Sequence, residues 1–169
     1  GVMGHGTNAF AAVWFDANGD GLPDVMTACE FGLNDYHINN GDGTFRDGKL
    51  PGLHGGFSMG ITVTDIDNDG YGDPYIANMY SKAGERIVAN MRPGLYEDEV
   101  YKKMLEFVEG NELLRNNGDG TFTAIGKSAG VNDVGWAYGT GAADLDGDGY
   151  PEIYAPVGYQ SVDKTKPDG

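Results

Sequence analysis

Three segments of the chain alternate carboxylate side chains with small residues at a spacing that suits a hard cation. They read "DANGDGLPD" from Asp16, "DIDNDGYGD" from Asp65 and "DLDGDGYPE" from Asp144. Acidic or amide side chains stand at positions 1, 3, 5 and 9 of each segment, and glycine stands at position 6. Oxygen ligands in this pattern are typical of calcium, which takes six to eight of them at about 2.3–2.6 Å. Magnesium fits less well, because it retains its water and prefers few protein ligands.

The position of the last acid distinguishes between two kinds of calcium loop. An EF-hand needs a bidentate glutamate at position 12, but that position is Thr27, Ile76 or Ala155 in the three segments. The flanking residues also alternate as strands do and show no helical period. The sequence therefore excludes an EF-hand and predicts a loop that an acid at position 9 closes.

Side-chain oxygens at positions 1, 3, 5 and 9, with the backbone carbonyl at position 7, are the predicted ligands of about three calcium ions. The predicted ligands are Asp16, Asn18, Asp20, Leu22 and Asp24; Asp65, Asp67, Asp69, Tyr71 and Asp73; and Asp144, Asp146, Asp148, Tyr150 and Glu152. Asn18 carries no charge, so we expect the first site to bind more weakly than the other two.

Composition limits the classes of function. Lys and Arg total 11 against 26 Asp and Glu, which gives a formal charge of -15. This balance argues against binding to nucleic acid or to anionic membrane surfaces, since both need basic patches. No apolar run approaches the roughly 20 residues that span a bilayer, so direct membrane insertion is not expected. Cys29 is the only cysteine, which excludes an intrachain disulfide.

The acidic segments belong to an internal repeat. Strand-like stretches flank each of them, and "NNGDGTF" follows twice, at Asn39 and Asn116, as a hairpin signal. The unit predicted is four short antiparallel strands, which is the composition of a propeller blade. The fold class is therefore all-β, with blade 1 at about 5–50, blade 2 at about 54–127 and an incomplete blade 3 at about 133–169.

One insertion interrupts the repeat. The second unit carries extra residues at about 81–110, where "GLYEDEVYKKMLEFVEG" has helical period with Tyr96, Val100 and Met104 on one face. We expect an amphipathic helix that packs on the propeller, with docking of a partner as the alternative. Two and a half blades cannot close a ring of four to eight. The sequence thus predicts a piece of a longer protein, or a ring that other chains complete.

The sequence resembles the FG-GAP/VCBS repeats of integrin α-like β-propellers, and within them the ASPIC/UnbV group related to cartilage acidic protein. The three loops, "NELLRNNGDGTFTAIGKSAGV" and "GWAYGTGAADLDGDGYPEIYAPVG" carry the resemblance. It implies a propeller, usually of seven blades, with calcium in the loop between the first two strands of a blade. It also implies an extracellular, cell-surface or periplasmic location.

Two classes of function remain open. Every strong motif is accounted for by the fold or the metal, which favours a non-enzymatic interaction, adhesion or assembly module. Its partner would be a protein or glycan at the propeller rim, or other subunits of a surface assembly. The alternative is a carbohydrate-active or other enzyme, or an accessory subunit of one, that uses the rim. His5 and His54 occupy equivalent repeat positions, which favours a structural role over catalysis.

Overall fold

The structure is a computed structural model, and it describes residues 8–30, 32–51, 57–79, 82–92 and 94–157. The first sheet contains β1 (Asn8–Phe15), β2 (Asp24–Glu30), β3 (Asp35–Asn39) and β4 (Phe45–Asp47). The second contains β5 (Ser58–Thr64), β6 (Asp73–Asn78), β7 (Glu112–Asn116) and β8 (Phe122–Ala124). The strands of each sheet lie in chain order, and β9 (Gly141–Ala143) pairs with β10 (Glu152–Tyr154). All neighbouring strands are antiparallel.

This architecture confirms the predicted fold class. Two four-stranded antiparallel sheets and a two-stranded one follow each other along the chain, and each contains one acidic segment between its first two strands. The described residues form no closed ring, as the partial propeller predicts. The boundaries of the three blades stay a prediction, and residues 5–7, 31, 54–56, 80–81, 93 and 158–169 of those ranges lie outside the described residues.

The main core lies between the first two sheets. Because side chains alternate along a strand, one face of β1 and β2 meets one face of β5 and β6. The buried cluster consists of Ala17, Met26, Ala28, Tyr36, Ile38, Ile61, Ile76, Leu114 and Phe122. Phe122 is its aromatic centre, with its ring 5.4 Å from that of Tyr36 and edge-on to it. Each large side chain buried here contributes roughly 1.5–3 kcal/mol, so the sheets stabilise each other.

The backbone contact between one sheet and the next is also repeated along the chain. Glu30, at the end of β2, bridges to Phe57, and Met79 bridges to Trp136 at the equivalent place in the next unit. The second contact brings the backbones very close together, since a Cβ added to Gly60 would lie 2.9 Å from the Cα of Gly139. The third sheet therefore lies against β5, as the blade order requires.

The two "NNGDGTF" segments form the predicted hairpins, but not as two-residue Asn-Gly turns. Asn40 donates its backbone N–H to the carbonyl of Thr44 at 3.0 Å, and Asn117 does the same to Thr121. Positive φ occurs at the two glycines of each turn, Gly41 and Gly43 in the first, and not at the asparagine. The side chains of Asp42 and Asp119 accept hydrogen bonds from the following threonine and lengthen the turn.

The insertion differs from the prediction in two ways. It contains two helices, α1 (Lys82–Ala89) and α2 (Asp98–Phe107), where the sequence indicated one; Gly84 weakened the helical pattern of α1. Among the described residues the two helices contact each other, and neither packs extensively on a strand. Ile87 and Leu95 are 62% and 61% exposed, and Tyr96 and Val100 on the predicted packing face are exposed too. The third helix, α3 (Gly126–Ala129), is a single turn after β8.

Candidate metal centres

The three acidic segments occupy equivalent places in the fold. Loop 1 (residues 16–24) joins β1 to β2, loop 2 (65–73) joins β5 to β6, and loop 3 (144–152) joins β9 to β10. Each is therefore held at both ends by a pair of hydrogen-bonded strands, with Phe15 opposite Asp24 and Thr64 opposite Asp73. The strand pair fixes the distance between the first and last acids of the loop.

The carboxylate at position 1 organises each loop from within. The N–H of the glycine at position 6 donates to Asp16 at 2.7 Å, to Asp65 at 2.9 Å and to Asp144 at 3.0 Å. These glycines have φ between 82° and 94°, the left-handed region that a side chain rarely adopts. The sharp turn that the sequence assigned to position 6 is thus present in all three loops.

The carboxylate at position 9 ties the loop to the sheet. Asp24 is fully buried and accepts the N–H of Ala17 at 3.1 Å and that of Asn39 at 2.7 Å. Asp73 is also fully buried and accepts the N–H of Ile66 at 2.9 Å and that of Asn116 at 2.7 Å. Because Asn39 and Asn116 end β3 and β7, each aspartate joins a loop to the third strand of its own sheet.

In two loops the acids at positions 1, 3 and 9 converge. Oxygens of Asp65, Asp67 and Asp73 all lie within 4.8 Å of one another, and those of Asp144, Asp146 and Glu152 do the same. Two oxygens bound to one calcium at about 2.3–2.6 Å are at most roughly 5 Å apart, so both groups have the size that this ion needs. The clusters could therefore hold a metal ion.

Loop 1 has the same backbone but a different polar centre. Its position 3 is Asn18, whose amide donates to Asp20 at 2.9 Å. Loop 1 consequently forms no cluster of three acids, although Asp16 and Asp24 occupy the same places as their counterparts. An amide oxygen can still ligate calcium, so the site keeps its ligand count with one charge less.

The predicted ligands at position 5 lie outside both clusters of three acids. Asp20, Asp69 and Asp148 each accept the backbone N–H of the residue at position 7, at 2.8, 2.9 and 2.8 Å. These bonds turn one carboxylate oxygen toward the backbone. An oxygen that accepts one hydrogen bond keeps a second lone pair, so the position-5 carboxylates could still offer an oxygen to an ion in this arrangement.

Burial and mutual repulsion act on the closing aspartates. Burial raises the pKa of Asp24 and of Asp73, the backbone N–H groups that each accepts oppose this, and the neighbouring loop carboxylates raise the pKa further. Charged aspartates in such surroundings lack a compensating positive charge. A cation at the centre of the loop would supply it.

The sequence did not identify two residues of the site, Asn39 and Asn116, although both belong to the repeat. Their segments predicted only a turn. Asn39 and Asn116 start the two "NNGDGTF" segments, and each has three roles. Their backbone N–H groups donate to Asp24 and Asp73, their side-chain amides donate to the carbonyls of Pro23 and Gly72, and their side-chain oxygens accept an N–H of the hairpin turn. They hold the closing acids in place.

The other candidate residues contribute structure. His37 contacts Asp47 across β3 and β4 at 3.0 Å. Cys29 is buried. Trp14 is exposed and contacts the ring of Phe45 edge-on. His5 and His54 lie outside the described residues. No helix in the described part of the chain is long and apolar enough to cross a membrane.

The fold and the loops together define a class of protein: a β-propeller-like repeat with an acidic loop between the first two strands of each unit. The FG-GAP-like repeat family matches residues 16–76 and 106–155, which is well over half of the chain. The chain therefore belongs to this family, as the resemblance indicated. No curated protein matches it in sequence. The narrower resemblance to the ASPIC/UnbV group stays a prediction.

Proposed function

We propose that the chain is a calcium-stabilised propeller module that acts extracellularly, at a cell surface or in a periplasm as a non-enzymatic interaction or assembly unit. The convergence of carboxylates at positions 1, 3 and 9, repeated in loops 2 and 3, carries this proposal. Three carboxylates within 4.8 Å repel one another strongly unless a cation lies between them. Membership of a repeat family often found in adhesion and interaction proteins supports it.

The metal has a structural role in this proposal. The side chains at positions 1, 3 and 9, which are acids except for Asn18, would ligate it. The position-7 carbonyls of Leu22, Tyr71 and Tyr150 and one oxygen from position 5 would complete the shell. A bound calcium would neutralise the buried charge of Asp24 or Asp73 and strengthen the connection between the first three strands of a blade. The ion supplies charge compensation and a fixed loop geometry, and no step of catalysis is assigned to it.

Thermal unfolding tests the metal. A ligand at a hundred times its Kd stabilises the folded state by about 2.7 kcal/mol per site, so we expect the melting temperature to fall by about 5 °C or more when EDTA replaces calcium. Magnesium at the same concentration should restore little of this loss. A melting temperature that does not respond to EDTA would exclude a structural role for calcium.

The partner is proposed to be a protein or glycan that meets the propeller rim, or another subunit of a surface assembly. The helical insertion supports this, since Ile87 in α1 and Leu95 and Tyr96 between α1 and α2 are exposed. Among the described residues the two helices contact each other, and neither packs extensively on a strand. A glycan array combined with a polysaccharide cleavage assay separates this function from the enzymatic alternative. Binding without turnover supports the proposal, and turnover would contradict it.

A further inference from the structure

The three acidic loops contact one another through the residue at position 4. This residue is Gly19 in loop 1, Asn68 in loop 2 and Gly147 in loop 3, and all three have left-handed backbones with φ of 75°, 59° and 80°. Asn68 is the only residue other than glycine with positive φ in the described part of the chain. The left-handed turn places position 4 at the outer surface of its loop, where the next unit can reach it.

Two contacts link the loops into a row. The ring of Tyr71 in loop 2 lies against Gly19 in loop 1, since a Cβ added to Gly19 would be 3.5 Å from its Cε1. The amide of Asn68 in loop 2 donates to the backbone carbonyl of Gly149 in loop 3 at 2.9 Å. In both cases position 4 of one loop meets position 6 or 7 of the loop in the following unit.

Tyr71 is held from its other side as well. The added Cβ of Gly118 would lie 2.7 Å from the Tyr71 ring, so only glycine leaves room for the ring there. Leu22, the residue at position 7 of loop 1, packs in the same way against Gly41, since a Cβ added there would lie 3.1 Å from its Cδ1. In both units the side chain at position 7 therefore packs on the hairpin turn. The larger ring of Tyr71 also contacts the neighbouring loop.

We propose that the three loops bind calcium as a coupled row, in which an ion in loop 2 raises the affinity of loops 1 and 3. The proposal rests on the calcium sites proposed above. The carbonyl of Tyr71 is a proposed ligand of the second ion, so an ion there fixes the backbone from which the ring reaches Gly19. It also orders the turn from which Asn68 reaches Gly149. Once an ion in loop 2 has ordered these contacts, an ion that binds loop 1 or loop 3 loses less conformational entropy and binds more tightly.

The charge of the ions acts in the opposite direction. A divalent cation in loop 2 weakens the negative potential that attracts ions to the neighbouring loops. The Debye length is about 8 Å at 0.15 M salt, so this effect is partly screened between exposed sites. The contacts of Tyr71 and Asn68 are not screened, and at this ionic strength we expect them to determine the sign of the coupling.

The structure provides a separate reporter for each loop. The N–H groups of Gly21, Gly70 and Gly149 donate to the position-1 carboxylates of loops 1, 2 and 3. Their 1H–15N resonances, followed during a calcium titration of the full chain at 0.15 M salt, give three midpoints. Asp67→Ala removes an exposed acid from the centre of loop 2. We expect it to raise the midpoints of Gly21 and Gly149 about fivefold or more, within the range typical of coupled sites.

Matched variants then test the two contacts. Tyr71→Leu gives loop 2 the leucine that loop 1 has at position 7. It keeps the backbone carbonyl and the packing on Gly118, but the shorter side chain reaches less far toward Gly19. Asn68→Gly keeps the left-handed backbone and removes the amide. Of the two outer loops, we expect Tyr71→Leu to raise only the Gly21 midpoint and Asn68→Gly only the Gly149 midpoint. Because coupling is reciprocal, the Gly70 midpoint should rise in both variants. Tyr71→Phe retains the ring and should leave both midpoints as in the wild type.

The outcomes separate the two proposals. If none of the three glycine resonances responds to calcium, the calcium sites themselves are wrong. If all three respond but Asp67→Ala leaves the Gly21 and Gly149 midpoints unchanged or lowers them, the sites stand and the positive coupling is overturned. If Asp67→Ala raises the midpoints equally with and without the Tyr71→Leu and Asn68→Gly substitutions, the coupling does not act through these contacts and the proposal is also overturned.

Discussion

Loops 2 and 3 have the same acidic pattern but differ in what the closing acid holds. Asp73 in loop 2 is fully buried and accepts two backbone N–H groups, one from its own loop and one from the end of β7. Glu152 in loop 3 is half-buried and accepts the N–H of Leu145, inside its loop, at 2.7 Å. The third sheet has two strands in the described part of the chain, so within that part Glu152 has no third strand to join.

The difference shows that the acidic motif has two separate roles: it brings oxygens together for a metal, and in loop 2 it also connects the loop to a third strand. In loops 2 and 3 alike, positions 1, 3 and 9 bring their oxygens within 4.8 Å, so the proposed metal site depends on the loop alone. The connection to a third strand depends on the rest of the blade. The longer glutamate, which begins β10, closes the cluster in loop 3, and its hydrogen bond to Leu145 stays inside the loop. Substitutions at position 9 should therefore have unequal effects on stability and similar effects on metal binding.

The largest expected effect is that of Asp73→Ala. The substitution leaves the N–H groups of Asn116 and Ile66 without their acceptor, and each such buried group costs about 1–3 kcal/mol. Removal of a buried charge offsets part of this, so we expect a loss of about 2 kcal/mol in the free energy of unfolding. Urea unfolding in EDTA measures it. Glu152→Ala is the matched control, with an expected loss of about 1 kcal/mol or less; equal losses would contradict the comparison.

A reciprocal exchange at position 3 tests whether charge sets the affinity of a loop. Asn18→Asp gives loop 1 the third acid of loop 2, and Asp67→Asn removes it from loop 2. More ligand charge tightens calcium binding, so we expect the midpoint of the Gly21 resonance to fall roughly threefold or more in the first variant. The Gly70 midpoint should rise in the second. In EDTA, Asn18→Asp should slightly destabilise the protein, because the amide that donates to Asp20 becomes a fourth carboxylate in loop 1.

The smallest expected effect concerns a half-buried acid outside the loops. Burial raises the pKa of Glu112, while the N–H groups of Gly126 and Leu113, which it accepts, oppose the shift. Its contribution to stability is fully present below the ordinary glutamate pKa and is lost as pH rises through the raised pKa. Glu112→Gln keeps an acceptor oxygen and removes this loss. We expect a melting temperature about 1–2 °C above wild type at pH 7 and no difference at pH 4.

This variant separates burial from metal binding. Glu112 lies in no acidic cluster, so the gain at pH 7 should be the same with calcium and with EDTA. Asp73→Asn should behave differently, because it replaces one of the two oxygens that accept the N–H groups of Ile66 and Asn116 and also removes a proposed ligand. It should destabilise the protein in EDTA and more strongly with calcium. A gain for Glu112→Gln that appears only in EDTA would show that the charge of Glu112 interacts with the metal.

Local spacing explains what the sequence predicted well. Each acidic segment is nine residues long, and its strands flank it directly, so the loop, its glycine turn and the convergence of positions 1, 3 and 9 follow from residues close in the chain. The contacts of Asn39 and Asn116 could not be derived in this way. They depend on where the third strand ends, and Asn116 lies 43 residues after Asp73 because of the insertion.

The contacts between units were also hidden in the sequence. Tyr71 stands at a position whose predicted role was only its carbonyl, and its packing against Gly19 depends on how two sheets stack. The helical period of "EDEVYKKMLEF" located α2 but not its surroundings, since an apolar face at helical spacing does not specify what covers it. No pattern of neighbouring residues in the sequence indicates how far a side chain reaches or how one unit packs on the next.

The central claim is that these loops bind calcium, and the number of bound ions tests it most directly. Equilibrium dialysis of the full chain against buffered calcium, followed by metal analysis, should give about three ions per chain. Asp65→Ala, which removes the organising acid of loop 2, should lower the number by about one. A wild-type protein that retains no calcium above the buffer level, or a variant that retains as much as the wild type, would contradict the claim.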